Sequence, residues 1–340
     1  MLKQLGSRAG RPHAVSRQHG SSRRSLQSFT VFGGTFRSAI FFPELAATDD
    51  VDSAWDLELV AAEQMPPNGE FLGVLPDQPC RVALHRAGTD GFVLTHGCTG
   101  TFHVSEGGRA IRYAPKADAS LDLVRGDVLG RVLPLAMHMQ GQLSLHASAA
   151  ALPEGAVGFL AAKGFGKSTI ALGLAQRSAR FVTDDVLPIM PNAPIGVNPG
   201  VQSVRLHADS ARRLIDRVAV TRAGIDGKRI LDTLPRAMVT TTPVRLAALY
   251  VLTPVRARDN GLLVRRTPLP PRQAALELVR HAKIGALLGG SVAGELLLQA
   301  SRIARDVPLY ALHIARDLDR LSDAVSTIAS WHGGVAPAAP

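Results

Sequence analysis

The sequence predicts an α/β fold, a P-loop-type core built on a strand, a glycine loop and a helix, preceded by a small β-rich module. Three observations carry this. The apolar run Val157-Gly158-Phe159-Leu160 leads into Ala161-Ala162-Lys163-Gly164-Phe165-Gly166-Lys167-Ser168-Thr169, and Ile170-Ala171-Leu172 continues as a helix. An acidic pair, Asp184-Asp185, closes the next apolar run, Phe181-Val182-Thr183. Upstream, the chain alternates apolar and polar residues as half-buried strands do.

Taken in order, residues 1–27 are rich in Arg, Ser, Gly and Gln and lack apolar periodicity, so a disordered basic tail is expected. A basic, serine-rich targeting presequence and an over-extended start codon are the alternative readings of the same segment. Residues 28–117 form the expected β-rich module. Cys80-Arg81-Val82-Ala83-Leu84-His85, Gly91-Phe92-Val93-Leu94-Thr95 and Thr101-Phe102-His103-Val104 alternate, and Glu106-Gly107-Gly108-Arg109 reads as a hairpin turn. His96 and His103 have no acid or cysteine around them at ligand spacing, which favours ordinary strand and loop histidines over a metal site. Residues 118–330 are expected to form the core domain. It opens on a helix over 118–140, marked by Leu121, Val124, Val128, Leu129, Val132, Leu133 and Leu135. After Asp185, Pro188, Pro191, Pro194 and Pro199 argue against long regular structure and suggest a substrate-side loop. Strands are expected near Val204 and over Leu246–Leu252, and helices over 271–288 and 317–330. Residues 331–340 read as a second disordered tail.

Composition narrows the class of function. The 340 residues carry a net charge of +10, but residues 1–43 hold seven basic residues and no acid, which leaves +3 (10 − 7) for the remainder. A nearly neutral body with 5% aromatics argues against nucleic-acid binding. No apolar run is long enough to cross a membrane. Cys80 and Cys98 lack metal-type spacing, and free buried thiols in a reducing, cytoplasmic compartment are expected.

The loop carries the chemistry. Gly164 and Gly166 let the backbone curl so that its N–H groups meet phosphate oxygens, and a helix N-terminus adds partial positive charge. Gly164, Phe165, Gly166, Lys167, Ser168 and Thr169 are thus the expected nucleotide-binding residues. Lys167 is expected to reach the β- and γ-phosphates of ATP, and Ser168 to ligate Mg²⁺. One departure is visible: Ala161 stands where the loop pattern has its first glycine.

Leu143-Ser144-Leu145-His146-Ala147, the loop, and Asp184-Asp185 soon after it resemble, in order and spacing, the catalytic domain of the HPr kinase/phosphorylase family. The close match covers residues 143–188, and a more diffuse similarity to HPr-kinase-related serine kinases runs over about residues 29–329. The resemblance implies a kinase core of the HPr kinase/phosphoenolpyruvate carboxykinase-like type. It also implies ATP-dependent transfer to a serine-type hydroxyl of a peptide or small protein, and homo-oligomers. Lys163 replaces the family's usual serine, and the family's Arg-Pro-Gly-Arg-Asn segment has no counterpart here. The resemblance therefore names neither the acceptor nor a reverse phosphorylase activity.

By that resemblance Asp184 is the expected base toward the acceptor and Asp185 the Mg²⁺ ligand, with the exchange of the two left open. His146 is expected to hydrogen-bond an aspartate or the transferring phosphate. Lys163, Arg205, Lys228 and Arg229 are lesser candidates for phosphate neutralisation. Two alternatives remain open at this stage: a nucleotide-binding regulator with little turnover, and a small-molecule kinase.

Overall fold

The computed structural model describes residues 26–75, 80–177, 179–215, 222–224, 227–255 and 264–333. Its architecture is mixed α/β with three sheets. The first sheet is built from β1 (Gln27–Val31), β2 (Gly34–Ser38), β3 (Ala46–Ala47), β4 (Ser53–Leu59), β5 (Glu70–Leu75), β6 (Val82–Arg86), β7 (Phe92–His96), β8 (Gly100–Val104) and β9 (Ala110–Pro115). They lie in the order β3-β1-β2-β4-β9-β8-β7-β6-β5. The period-2 pattern places Phe36, Trp55, Leu57, Leu84, Leu94, Phe102 and Tyr113 in the core. Gln27, placed in the tail by composition, already pairs with Ser38.

Cys80 and Cys98 form a disulfide that ties the start of β6 to the turn between β7 and β8. This corrects the expectation of two free thiols. The β6–β7 register pairs Val82 with His96, which brings the two flanking cysteines together. That cross-strand proximity is invisible in their linear spacing.

The helical segment expected over 118–140 is continuous from Leu121 to Met139. α1 (Leu121–Asp127) and α2 (Leu133–Met139) are joined through one π-helical turn, Val128–Val132. Its apolar face packs Val124, Val128, Val132, Leu133 and Leu135 into a core cluster shared with the first sheet and with the strands that follow. Asn198 Nδ2 also donates to the Phe32 carbonyl at 2.9 Å across that junction.

The second sheet contains β10 (Leu143–Leu145), β11 (Ala147–Leu152), β12 (Gly155–Leu160), β13 (Arg180–Thr183), β14 (Leu187–Met190), β15 (Gly196–Val197), β19 (Val244–Val255), β20 (Val264–Pro268) and β21 (Leu309–Ala315). Its order is β10-β14-β15-β19-β12-β11-β13, with β21 on β19 and β20 on β21. The proline-marked segment after Asp185 therefore enters the sheet as two short strands, and Pro188 pairs opposite Ser144. β15 pairs only with Ile189 and Met190, so the ladder on that side stops short of Pro188 and its missing N–H breaks no strand pairing there, which is why the segment is not the free loop that proline counting suggests. α3 (Lys167–Ala175) and α7 (Leu321–Ser330) form a second core cluster with one face of this sheet, centred on Phe159, Ile170, Leu174, Phe181 and Tyr250.

A third, three-stranded sheet of β16 (Val204–Leu206), β17 (Arg222–Ala223) and β18 (Arg229–Leu231) lies beside α4 (Ala208–Leu214). α5 (Pro271–Arg280) and α6 (Gly290–Asp306) pack against each other. Glycine-interrupted Ile284–Ala293 hid the start of α6 from the sequence reading, and arginine-rich β20 has no strand-like alternation. The expected C-terminal tail is also corrected at its start. The Arg266 guanidinium lies 4.7 Å from the Trp331 ring centroid, and His332 Nε2 is 2.6 Å from the Tyr250 hydroxyl. Residues 1–25 and 334–340 lie outside the described residues. Among the described residues, no helix is long and apolar enough to cross a membrane.

Candidate functional site

β12 ends at Leu160 and α3 begins at Lys167, so residues 161–166 bridge a strand to a helix N-terminus. Gly164 and Gly166 have φ of 86° and 93°. That left-handed region costs other residues about 1–2 kcal/mol, so glycine is what permits the loop's curl. Lys167 is buried, and its ammonium donates to the carbonyls of Ala161 at 2.8 Å and Ala162 at 3.3 Å. It also stands 3.0 Å from His146 Nε2. Burial lowers its pKa to about 8; Asp184 and Asp185 push it upward, while Lys283 and Lys228 add to the lowering.

β13 stops at Thr183, and the two acids follow in a bend at its carboxyl end. They are held differently. Asp184 is buried, and its Oδ1 accepts from Ser148 Oγ at 2.6 Å and from Ser168 Oγ at 2.8 Å. Its Oδ2 accepts from the Arg205 backbone N–H at 3.0 Å, supplied by β16. Asp184 is therefore tied to the loop and to the third sheet. Asp185 turns away from it at φ 78°, a left-handed value that few non-glycine residues adopt, aspartate more readily than most.

The Asp185 side chain is held at both oxygens. Asp185 Oδ1 is 2.9 Å from His146 Nδ1, and Oδ2 is 2.6 Å from Lys283 Nζ. With Lys167 donating to Nε2, the His146 ring carries its proton on Nδ1 and donates it toward Asp185. Enclosure alone raises the Asp185 pKa, but the Lys283 charge and the His146 hydrogen bond outweigh it and hold the carboxyl well below the ordinary range. His281, just before Lys283, is lowered to about 4 by burial together with the charges of Lys167 and His146, so it is neutral at neutral pH.

His146, Lys167, Ser168, Asp184 and Asp185 thus converge at one mouth. Thr169 and Phe165 point elsewhere. Thr169 Oγ1 donates to Ser210 Oγ at 3.2 Å and points toward α4. Phe165 is exposed at the loop crest beneath the Arg316 guanidinium, 5.7 Å from its ring centroid. Arg316 also donates to the Gly164 carbonyl at 3.2 Å. Arg205 contributes its backbone N–H. Lys228 acts on Lys167 through its charge. Lys283 and Ser148 escaped the sequence reading. The signal that exposes Lys283 is compositional: the chain has 6 Lys against 32 Arg. Lys163, Lys167, Lys228 and Lys283 are among those six.

The oxygens at this mouth suit a hard cation. Ser168 Oγ and Asp184 Oδ1 lie side by side, the hydroxyl-plus-carboxylate donor set that Mg²⁺ prefers. Among the described residues no group of three or more His, Cys, Asp or Glu is placed to hold a metal alone, so such an ion would rely on further oxygens from phosphate and water.

No family model matches the chain, and no curated protein matches it. Among solved structures it is similar to the Hpr(Ser) kinase/phosphatase from Coxiella burnetii, with 13% identity, 56% of this chain and 95% of that one covered, and a TM-score of 0.29. A likeness at that score adds no argument about the site, which stands on its own geometry.

Proposed function

We propose that this chain transfers the γ-phosphoryl group of ATP to a serine-type hydroxyl of a peptide or small protein. The observation that carries the reading is the unequal setting of two adjacent carboxylates at the mouth of one phosphate-type loop. Asp184 is bound to the loop's Ser168, whereas Asp185 is flanked by His146 and Lys283 and half open to solvent. Loop N–H groups and Lys167 hold the triphosphate, and Ser168 with Asp184 would hold Mg²⁺. The ion, when bound, neutralises charge on the phosphate oxygens. Asp185 faces the acceptor. Its carboxylate orients the hydroxyl and takes the proton late, once the hydroxyl oxygen is bonding to γ-phosphorus and has become acidic, while the bond to the β-bridging oxygen breaks and releases ADP. This assignment takes the exchange of the two aspartates that the sequence left open.

Labelled γ-phosphate transfer to serine peptides, run beside Mg-ATP titration, tests it. Asp184→Asn should weaken the Mg²⁺ dependence of ATP binding, and Asp185→Asn should leave affinity within a few fold. The opposite pattern would return the base to Asp184. Wild-type protein that binds Mg-ATP and phosphorylates no peptide, carrier protein or small hydroxyl compound would instead mark a nucleotide sensor.

A further inference from the structure

Lys283 lies far along the chain from the loop, yet the backbone delivers it to the mouth. The Lys283 N–H donates to the Ser144 carbonyl at 2.8 Å, and the His146 N–H donates to the His281 carbonyl at 2.7 Å. Leu145 and Ala282 form an antiparallel bridge between them. Residues 281–283 therefore add a short edge to β10, and the side chain of Lys283 emerges beside His146. Its ammonium reaches Asp185 Oδ2 while His146 takes Oδ1, so each carboxylate oxygen has its own partner.

The pair is also roofed. Gly130 lies in the π-helical turn, and a Cβ there would stand 3.7 Å from Asp185 Oδ2 and 3.9 Å from Lys283 Cε. A side chain longer than alanine at this position would enter the space of the ion pair. π-Helical turns inside α-helices recur at functional sites, and here the turn brings a glycine over the charged pair. Lysine fits beneath such a roof as a compact point charge on a flexible stem, where a planar guanidinium would need more width. A lysine at this place in so arginine-rich a chain is consistent with that requirement. The left-handed backbone at Asp185 completes the picture: two fixed partners hold the side chain where an unconstrained aspartate would relax.

We propose that Lys283 is a positioning residue of the phosphoryl-transfer site, holding the Asp185 carboxylate from the side opposite His146 in the orientation that faces the acceptor hydroxyl. This rests on the transfer reading above. Lys283 acts through Asp185 and not on the nucleotide. The test is a double-mutant cycle on the full chain with Mg-ATP and a serine peptide. Lys283→Met should lower kcat by roughly 10–100-fold, the weight of one charge-assisted hydrogen bond, with KM for ATP and Mg-ATP affinity within a few fold. Lys283→Arg should recover little of the loss, because the wider guanidinium does not fit beneath Gly130. In an Asp185→Asn background, Lys283→Met should cost nothing more. If Lys283→Met does not fold, Lys283→Gln is measured in the same cycle. Wild-type-like kcat in Lys283→Met, or a loss that multiplies onto that of Asp185→Asn, overturns the assignment while the kinase reading stands. Wild-type protein that transfers no phosphate overturns both.

Discussion

Among the described residues, two histidine–aspartate pairs have the same 2.9 Å separation, His96–Asp127 and His146–Asp185. The first joins the end of β7 to the end of α1. Asp127 also accepts from Thr99 Oγ1 at 2.7 Å and from Arg131 Nη1 at 2.7 Å, and both members of the pair are almost fully enclosed. Its backbone is ordinary helix. The second pair is 33% and 41% exposed, carries a left-handed aspartate, and touches the phosphate-type loop through Lys167. The contrast teaches that a His–Asp contact is not by itself a functional signal. A closed, fully satisfied network fixes two elements against each other. An open one, held under constraint beside a depressed lysine, has chemistry left to offer.

The largest effect expected is at the open pair's lysine neighbour. Lys167→Ala should weaken Mg-ATP binding at least about 100-fold, since two charge-assisted hydrogen bonds of roughly 1.5–3 kcal/mol each are lost. Calorimetric titration measures it, and undiminished affinity would remove the loop from the account.

A smaller effect comes from protonation. With its pKa near 8, Lys167 is largely neutral in the free protein at about pH 9 and charged at about pH 6.5. ATP binding should therefore take up close to one proton at the higher pH and almost none at the lower, as read from titrations in buffers of different ionisation enthalpy. The sign for stability follows from the same shift. The folded pKa lies below the ordinary 10.5, so between about pH 8 and 10.5 the unfolded chain binds more protons and this residue makes stability rise with pH. Lys167→Met should flatten that rise, and an unchanged slope would place its cause elsewhere.

Smallest is the backbone effect. Asp185→Gly should be more stable than Asp185→Ala by about 1 kcal/mol, because both lack the carboxylate and only glycine accepts a φ of 78° freely. Denaturant midpoints decide it. Equal midpoints would mean that the bend relaxes once its partners are gone.

The parts of the site legible in the sequence are local ones. The loop and its helix are contiguous, and the acid pair ends the next apolar strand, so spacing alone reveals them. His146 is legible through its order before the loop. The unequal roles of the two aspartates were not, because they depend on Ser148 from β11 and the Arg205 N–H from β16, which meet only in the sheet. Lys283 was hidden for the same reason: an edge bridge to β10 places it, and no pattern marks that bridge. In the fold, alternation gave away β6, β7 and β8 of the first sheet but not β2, β4 or β5, and the 3.6-residue period gave away the segment from Leu121. The disulfide was missed because strand register, not sequence spacing, joins Cys80 to Cys98.

The contrast between the two pairs can be tested with one matched measurement. Asp127→Asn and Asp185→Asn are compared for denaturant stability and for labelled-phosphate transfer per folded molecule. Asp127→Asn should lose stability, by up to about 3–5 kcal/mol because a buried ion-pair network is broken, while transfer stays near wild type. Asp185→Asn should lose less stability than Asp127→Asn, because its site is more open to solvent, and lose transfer by about 10²–10⁴, the usual weight of a positioned base. Equal losses of stability in both variants, with transfer unaffected in either, would contradict the account.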